Sequence, residues 1–393
     1  MRSPATWTVF SYGFRPLFLA SGVSALLVVP VWLWVQWHQF ALWGSAPPML
    51  WHAHEMLFGF AGAAVAGFLL TAVPSWTSSR GFAGWPLVAL ALMWVAARAL
   101  LLAGPEGPWL WAVLADLAFL PLLAALIAPP ILRERNRNMV MLVVLAALWG
   151  SDAVFLYAVS VGQPELANRM LRFALDVLLL LITIIGGRIV PAFTSNALRR
   201  QGETIALRSV PWLERALPAM MLLNAAAGVL GLMPQGLASV ALLAALLHAW
   251  RLAGWRSLRV GGEPILWVLH LAYAWLPLGF VLKALALWGI AEFAQFWLHA
   301  FGIGAVATMI VAVMTRASLG HTGRPLVVAR PIAWAYGLLT LAALCRVLLP
   351  HTGVLSYPVV LLLAGGLWTA AFAILVAVYG PILTQPRVDG RAG

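Results

Sequence analysis

Residues 51–73 open as Trp51-His52-Ala53-His54-Glu55-Met56 and continue as the apolar run LFGFAGAAVAGFLLTAV. That run is close to the roughly 20 apolar residues that carry a helix across a bilayer. Two imidazoles and a carboxylate stand in its first turns. Ionisable groups inside a membrane span are costly, face the protein interior and mark functional positions. Imidazole is also the commonest metal ligand among side chains. The stretch therefore sets two expectations: a membrane-embedded helix, and metal or redox chemistry near one end of it.

The rest of the chain extends the first expectation. Of its 393 residues, 63% are hydrophobic and only 9% are charged, and the mean hydropathy is +0.95. Runs of similar length recur at about 17–37, 50–73, 85–103, 109–130, 139–160, 169–191, 212–231, 236–252, 264–289, 295–317, 328–349 and 355–382. Backbone groups must be satisfied without water in lipid, and these runs are too long for barrel strands of about 9–11 residues. The expected fold is an all-α, polytopic membrane helical bundle of about twelve transmembrane helices, in a single integral membrane domain spanning 1–393. Short connections with Pro47-Pro48, Gly104-Pro105 and Gly323-Arg324-Pro325 leave no room for an extramembrane domain. Arg2 and the long first run show no cleavable signal pattern.

The formal charge of +12 comes almost wholly from arginine, and Lys283 is the sole lysine. No basic run interleaved with aromatics suggests a nucleic-acid surface. The charge reads instead as topology. Alternate loops hold Arg133, Arg135 and Arg137, then Arg199, Arg200 and Arg208, then Arg251, Arg256 and Arg259, then Arg324 and Arg330; Arg2 and Arg391 flank the ends. The opposite side holds Glu106, Glu165 and Glu292, with only Arg169 and Arg346 flanking spans. The positive-inside rule places both termini of this multi-pass protein in the cytoplasm. Tryptophans such as Trp32, Trp34, Trp37 and Trp43 form an interfacial belt. Cys345 is alone, which excludes an intramolecular disulfide and a thiolate cluster.

This orientation assigns depth. His52, His54, Glu55 and His299 fall in the outer halves of their spans, with Arg98, Asp116, Asp152, Arg172, Asp176 and Lys283. His270 and His321 lie near the inner face, where Arg188 and Arg316 end their spans. His52 and His54 are about 200° apart around a regular helix, so they serve different roles unless the helix is irregular. His52 and Glu55 share a face. His38, His248 and His351 read as interfacial anchors.

Several motifs resemble the NnrS family: Phe14-Arg15-Pro16-Leu17-Phe18, Trp51 to Phe60, Gly67 to Pro74, Gly186-Gly187-Arg188-Ile189-Val190-Pro191, Leu269 to Trp275, and Met314 to Arg324. The likeness covers essentially the whole chain. It implies a bacterial inner-membrane protein containing haem and copper, associated with nitric oxide metabolism and tolerance of nitrosative stress. Carried over residue by residue, it implies His52, His54, His270, His299 and His321 as metal-ligand candidates. Glu55, Arg188 and Arg316 follow as supporting groups.

The expected function is a redox metalloprotein that binds or reduces nitric oxide at a histidine-held metal, with haem iron and copper supplying binding and electrons. Glu55 is the candidate catalytic proton donor, and Arg188 and Arg316 are candidate partners of haem propionates. Nitric oxide partitions into lipid, so membrane lipid is its route and no polar channel is needed. A secondary transporter is the alternative, suggested by intramembrane charges and the Gly186-Gly187 interruption. A metal-handling accessory protein is a third reading.

Overall fold

The structure, a computed structural model, describes residues 7–390 except 41, 44, 45, 106, 204–206 and 291. Arg2, Glu106 and Arg391, which entered the orientation argument, lie outside the described residues. Twelve helices are long and apolar enough to cross a membrane: α1 Phe14–Trp37, α2 Pro48–Thr77, α3 Trp85–Leu102, α4 Trp109–Arg133, α5 Arg137–Ser160, α6 Pro164–Arg200, α7 Pro211–Leu230, α8 Pro234–Ala253, α9 Pro264–Leu287, α10 Trp297–His321, α11 Arg330–His351 and α12 Tyr357–Thr384. No strand occurs among the described residues. The all-α multi-pass fold expected from the sequence is the fold observed.

Local chemistry starts these helices. Prolines occupy one of the first two positions of α2, α3, α7, α8, α9 and α11, where the missing N–H costs no hydrogen bond. α7 ends on Gly231 at φ 66°, a left-handed closure that suits glycine. The largest departure from the expected limits is α6, which runs well past both ends of its apolar stretch. Polar residues from Pro164 to Arg169 and from Arg188 to Arg200 continue the helix, and hydropathy does not register them.

Three helices are set apart by burial. The most apolar window of α2 and of α6 is 78% buried inside the protein and that of α10 is 67%, whereas most others reach 33–44%. The same three carry π-helical segments: Glu55–Ala61, Ile182–Gly186 and Ala300–Ala307. A π segment shifts backbone carbonyls out of the regular ladder and is common at functional sites. In α2 the carbonyls of Gly59 and Phe60 accept hydrogen bonds from the Trp94 indole (3.1 Å) and the Ser21 hydroxyl (3.0 Å). Side chains of α3 and α1 thus pin the irregular turn.

The chain forms two compact units. One comprises Met1–Ala174, Ala317–Pro325 and Phe372–Gly393; the other comprises Leu175–Arg316 and Leu326–Ala371. In the first, α1 packs closely on α2: a Cβ on Gly67 would stand 2.7 Å from the Phe18 ring. In the second, Gly279 of α9 lies against the ring of Phe301, and Gly304 of α10 lies against Trp275. Those contacts need the missing side chains, since packed interiors leave no spare volume.

A buried imidazole–carboxylate centre

In the first unit, α2, α3, α4 and α5 bring five ionisable side chains together. His54 and Glu55 come from the start of α2, Arg98 from the end of α3, Asp116 from the first half of α4 and Asp152 from the last half of α5. Successive antiparallel helices put these positions at one end of the unit. His54 is 0% exposed, Asp152 2%, Glu55 3% and Asp116 5%.

The ring of His54 has a polar partner at each nitrogen. Nδ1 is 3.2 Å from Oε1 of Glu55. Nε2 is 3.0 Å from Oδ1 of Asp152 and 3.0 Å from Oδ2 of Asp116. Arg98 forms an ion pair with Asp116, and its Nη1 lies 3.4 Å from Oε1 of Glu55. Phe155 stacks on the imidazole at 5.1 Å, Phe58 lies at 5.1 Å, and Trp43 closes the remaining side at 6.0 Å. The Trp43 indole donates to the carbonyl of Leu101 (2.8 Å), which fixes the α1–α2 connection over the site. Gly59 keeps the space for this arrangement. A Cβ there would stand 2.9 Å from both Arg98 Nη1 and Glu55 Oε2.

One imidazole N–H cannot point at two oxygens at once. Oδ2 of Asp116 is accordingly a buried acceptor with no hydrogen bond, and such a group costs about 1–3 kcal/mol. The ligand atoms of His54, Asp116 and Asp152 all lie within 4.8 Å of one another, close enough to hold one metal ion. The sequence had placed all five residues in one half of the membrane. It did not join Asp116, Asp152 and Arg98 to His54, because partners 62 and 98 residues downstream leave no local spacing to read.

The other expected site residues have other surroundings. His52 stacks its ring on Trp32 at 4.5 Å, outside the carboxylate pocket. Two residues along one helix therefore serve two environments, as the angular argument required. The helix is regular through His54, and the π segment begins only at Glu55. His321 ends α10 against Tyr12 and Phe14 (5.7 Å each), and its carbonyl accepts from Arg387 (2.7 Å). Burial raises the Tyr12 phenol pKa, and the neighbouring Arg387 opposes that shift.

In the second unit, His270 engages both ring nitrogens, Nε2 with the Thr194 hydroxyl (2.8 Å) and Nδ1 with the Ser257 hydroxyl (2.9 Å). His299 is half-buried immediately before the π segment of α10. Arg316 lies over the ring of Phe193 at 3.8 Å, and Arg188 is exposed. His248, read from sequence as an interfacial anchor, is fully buried. Its Nδ1 meets the Tyr273 hydroxyl (2.8 Å), which also accepts from Arg251 (3.1 Å). Hydropathy placed His248 near the end of a span; the Tyr273 hydroxyl, two turns into α9, is what draws it inward.

The second unit also holds a buried charge group. Lys283 donates to the Asn224 carbonyl oxygen (3.0 Å), and the Asn224 amide donates to Asp176 (2.9 Å). The lysine and aspartate stand 4.0 Å apart.

Fold and site together define a multi-pass helical membrane protein with a buried, metal-competent imidazole–carboxylate centre. The family model described as NnrS protein matches residues 8–387, nearly the whole chain. The chain belongs to the NnrS family, and membership supports a membrane protein connected in general terms with nitric oxide. No curated protein matches it.

Proposed function

We propose that this protein is a bacterial inner-membrane metalloprotein of nitric oxide metabolism and nitrosative-stress tolerance, with the His54 pocket as its working metal centre. Both termini face the cytoplasm in this reading, and the pocket lies in the outer half of the membrane. The observation that carries the proposal is the approach of His54 Nε2 to Asp116 and Asp152, both at 3.0 Å, with Asp116 Oδ2 left unsatisfied. A cation between the three donors satisfies all of them.

The chain's own residues prepare that centre. With a metal bound, Glu55 would accept the Nδ1 proton of His54 and leave an unprotonated Nε2 for the ion. Metal-bound histidines are commonly oriented by a carboxylate in this way. Arg98 holds Asp116 and Glu55 in place. Phe58, Phe155 and Trp43 keep bulk water away while admitting a small neutral diatomic from lipid. A metal held there supplies a coordination position for nitric oxide and a path for electrons. Reduction of two nitric oxide molecules to nitrous oxide and water consumes two electrons and two protons. Glu55 stands next to the ligating imidazole, where it either delivers protons or orients the ring.

The haem and copper implied by family resemblance fit this pocket poorly. A haem ligand needs open space in front of its nitrogen, and Asp116 and Asp152 fill that space. Copper(I) favours thiolate, thioether and imidazole, and two of the three donors here are carboxylates. In this reading haem and copper belong to the imidazoles outside the pocket: His52, His299, His270 and His321. Arg188 and Arg316 are propionate partners. His270 has to release Thr194 or Ser257 before it can ligate.

The test compares detergent-purified wild-type protein with His54→Ala by absorption and electron paramagnetic resonance, with and without nitric oxide. The reading expects a nitric-oxide-dependent signal in the wild type that the variant lacks. An unchanged signal in a folded His54→Ala protein contradicts it.

A further inference from the structure

We infer that the His54–Asp116–Asp152 pocket takes one hard or borderline divalent ion of the iron(II), manganese(II) or zinc(II) class, and not copper(I). The inference rests on the reading of this pocket as a metal centre and names what the pocket selects.

The donor set is the first argument. One imidazole nitrogen and two carboxylate oxygens make a nitrogen–oxygen site without sulfur, and carboxylate oxygen suits harder ions than copper(I). The imidazole nitrogen stands 3.0 Å from each carboxylate oxygen, a separation that corresponds to a nitrogen and an oxygen ligand about 2.1 Å from a shared ion and near a right angle to each other. Three protein donors, all within 4.8 Å of one another, leave further positions on the ion for a small molecule.

Charge is the second and independent argument. When an ion takes Nε2, His54 is neutral and its remaining Nδ1 proton faces Glu55. Glu55, Asp116 and Asp152 then place three negative charges against the single positive charge of Arg98. The centre carries two excess negative charges inside a membrane-spanning bundle, where uncompensated charge is expensive. A divalent ion brings it to neutrality. A monovalent copper ion leaves one charge over. Iron(II) is the member of the class that also binds nitric oxide, so it is the expected occupant in the working protein.

Elemental analysis of the full-length purified protein tests this, with Asp152→Asn beside the wild type. Asparagine keeps the volume of Asp152 and removes its charge, and Asp152 makes no ion pair with Arg98, so the helix contacts survive. His351→Gln, an exposed residue outside every site described, serves as control. Apo-protein is also titrated with iron(II), manganese(II) and zinc(II). The expected result is about one divalent ion per chain in wild type and control, and an affinity at least about tenfold weaker in Asp152→Asn. Copper content should be equal in all three. If copper is the ion lost in Asp152→Asn, the pocket is a copper site; this inference fails while the metal-centre reading stands. If no metal depends on Asp152 or His54, both fail together.

Discussion

Each unit of the protein buries a group of charged side chains, and the two groups differ in how they balance. In the second unit, Lys283, Asn224 and Asp176 form a chain: ammonium to amide oxygen, amide N–H to carboxylate. The lysine and the aspartate carry opposite charges 4.0 Å apart, and the asparagine between them presents its acceptor to one and its donor to the other. In the first unit, His54 faces three carboxylates with one guanidinium among them. Burial is similar in both, since Lys283 is 3% exposed and Asp116 is 5% exposed. Burial alone therefore does not separate a structural network from a working site. Charge balance does: three carboxylates face a single guanidinium in the first centre, an excess that a divalent cation would neutralise.

The comparison can be broken at either end. The largest effect is expected in the second unit. Lys283→Met removes the positive partner of a buried carboxylate and should cost about 3–5 kcal/mol of stability. A thermal or denaturant melt reads this, and pocket metal content per folded molecule should not change. Loss of pocket metal in folded Lys283→Met protein would erase the distinction between the two groups.

Gly59→Ala comes next. Its methyl group meets Arg98 and Glu55 at 2.9 Å, and overpacking of this kind costs about 1–3 kcal/mol. Metal should be held more weakly, because both displaced side chains position ligands. Full affinity in that variant would mean that Arg98 and Glu55 do not shape the pocket.

Glu55→Gln sharpens the role of one residue. The amide keeps its size and loses the carboxylate charge. If Glu55 orients His54, metal affinity should fall roughly 10–100-fold, as losses of outer hydrogen-bond partners typically do. If Glu55 instead delivers protons, metal stays bound while nitric oxide consumption or stress protection falls steeply. Metal titration and nitric oxide electrode traces on the same preparation separate the two.

The smallest effect belongs to the surface. Arg200 and Glu263 pair at 3.2 Å, with the arginine side chain 58% exposed. Such pairs contribute about 0–1 kcal/mol. Arg200→Ala should leave both melt and metal content close to wild type. A change of several kcal/mol would mean that this pair belongs to a larger network than its exposure indicates.

The fold was nearly all legible in the sequence, because lipid imposes one rule on every span: about 20 apolar residues in helix. The exception was α6, whose polar ends continue as helix beyond the reach of hydropathy. The π segments were not legible either. They arise where side chains from neighbouring helices, such as Trp94 and Ser21, accept displaced carbonyls as partners. The site was legible in half. His54 and Glu55 announced themselves as polar neighbours at the head of an apolar run, and the angular offset separated His52 from His54. Asp116, Asp152 and Arg98 were placed in the same outer half of the membrane, but no local spacing tied them to His54. Only the packing of α3, α4 and α5 beside α2 shows that they share one partner. His248 illustrates the converse: a histidine near the end of a span looks interfacial until the hydroxyl that binds it is located.

The central claim is that His54, Asp116 and Asp152 coordinate one divalent ion. X-ray absorption at the edge of the metal that Asp152→Asn loses tests it most directly. The account predicts a shell of nitrogen and oxygen scatterers at about 2.0–2.2 Å, with an imidazole contribution. A shell containing sulfur at about 2.3 Å, or the multiple scattering of a porphyrin, would contradict it.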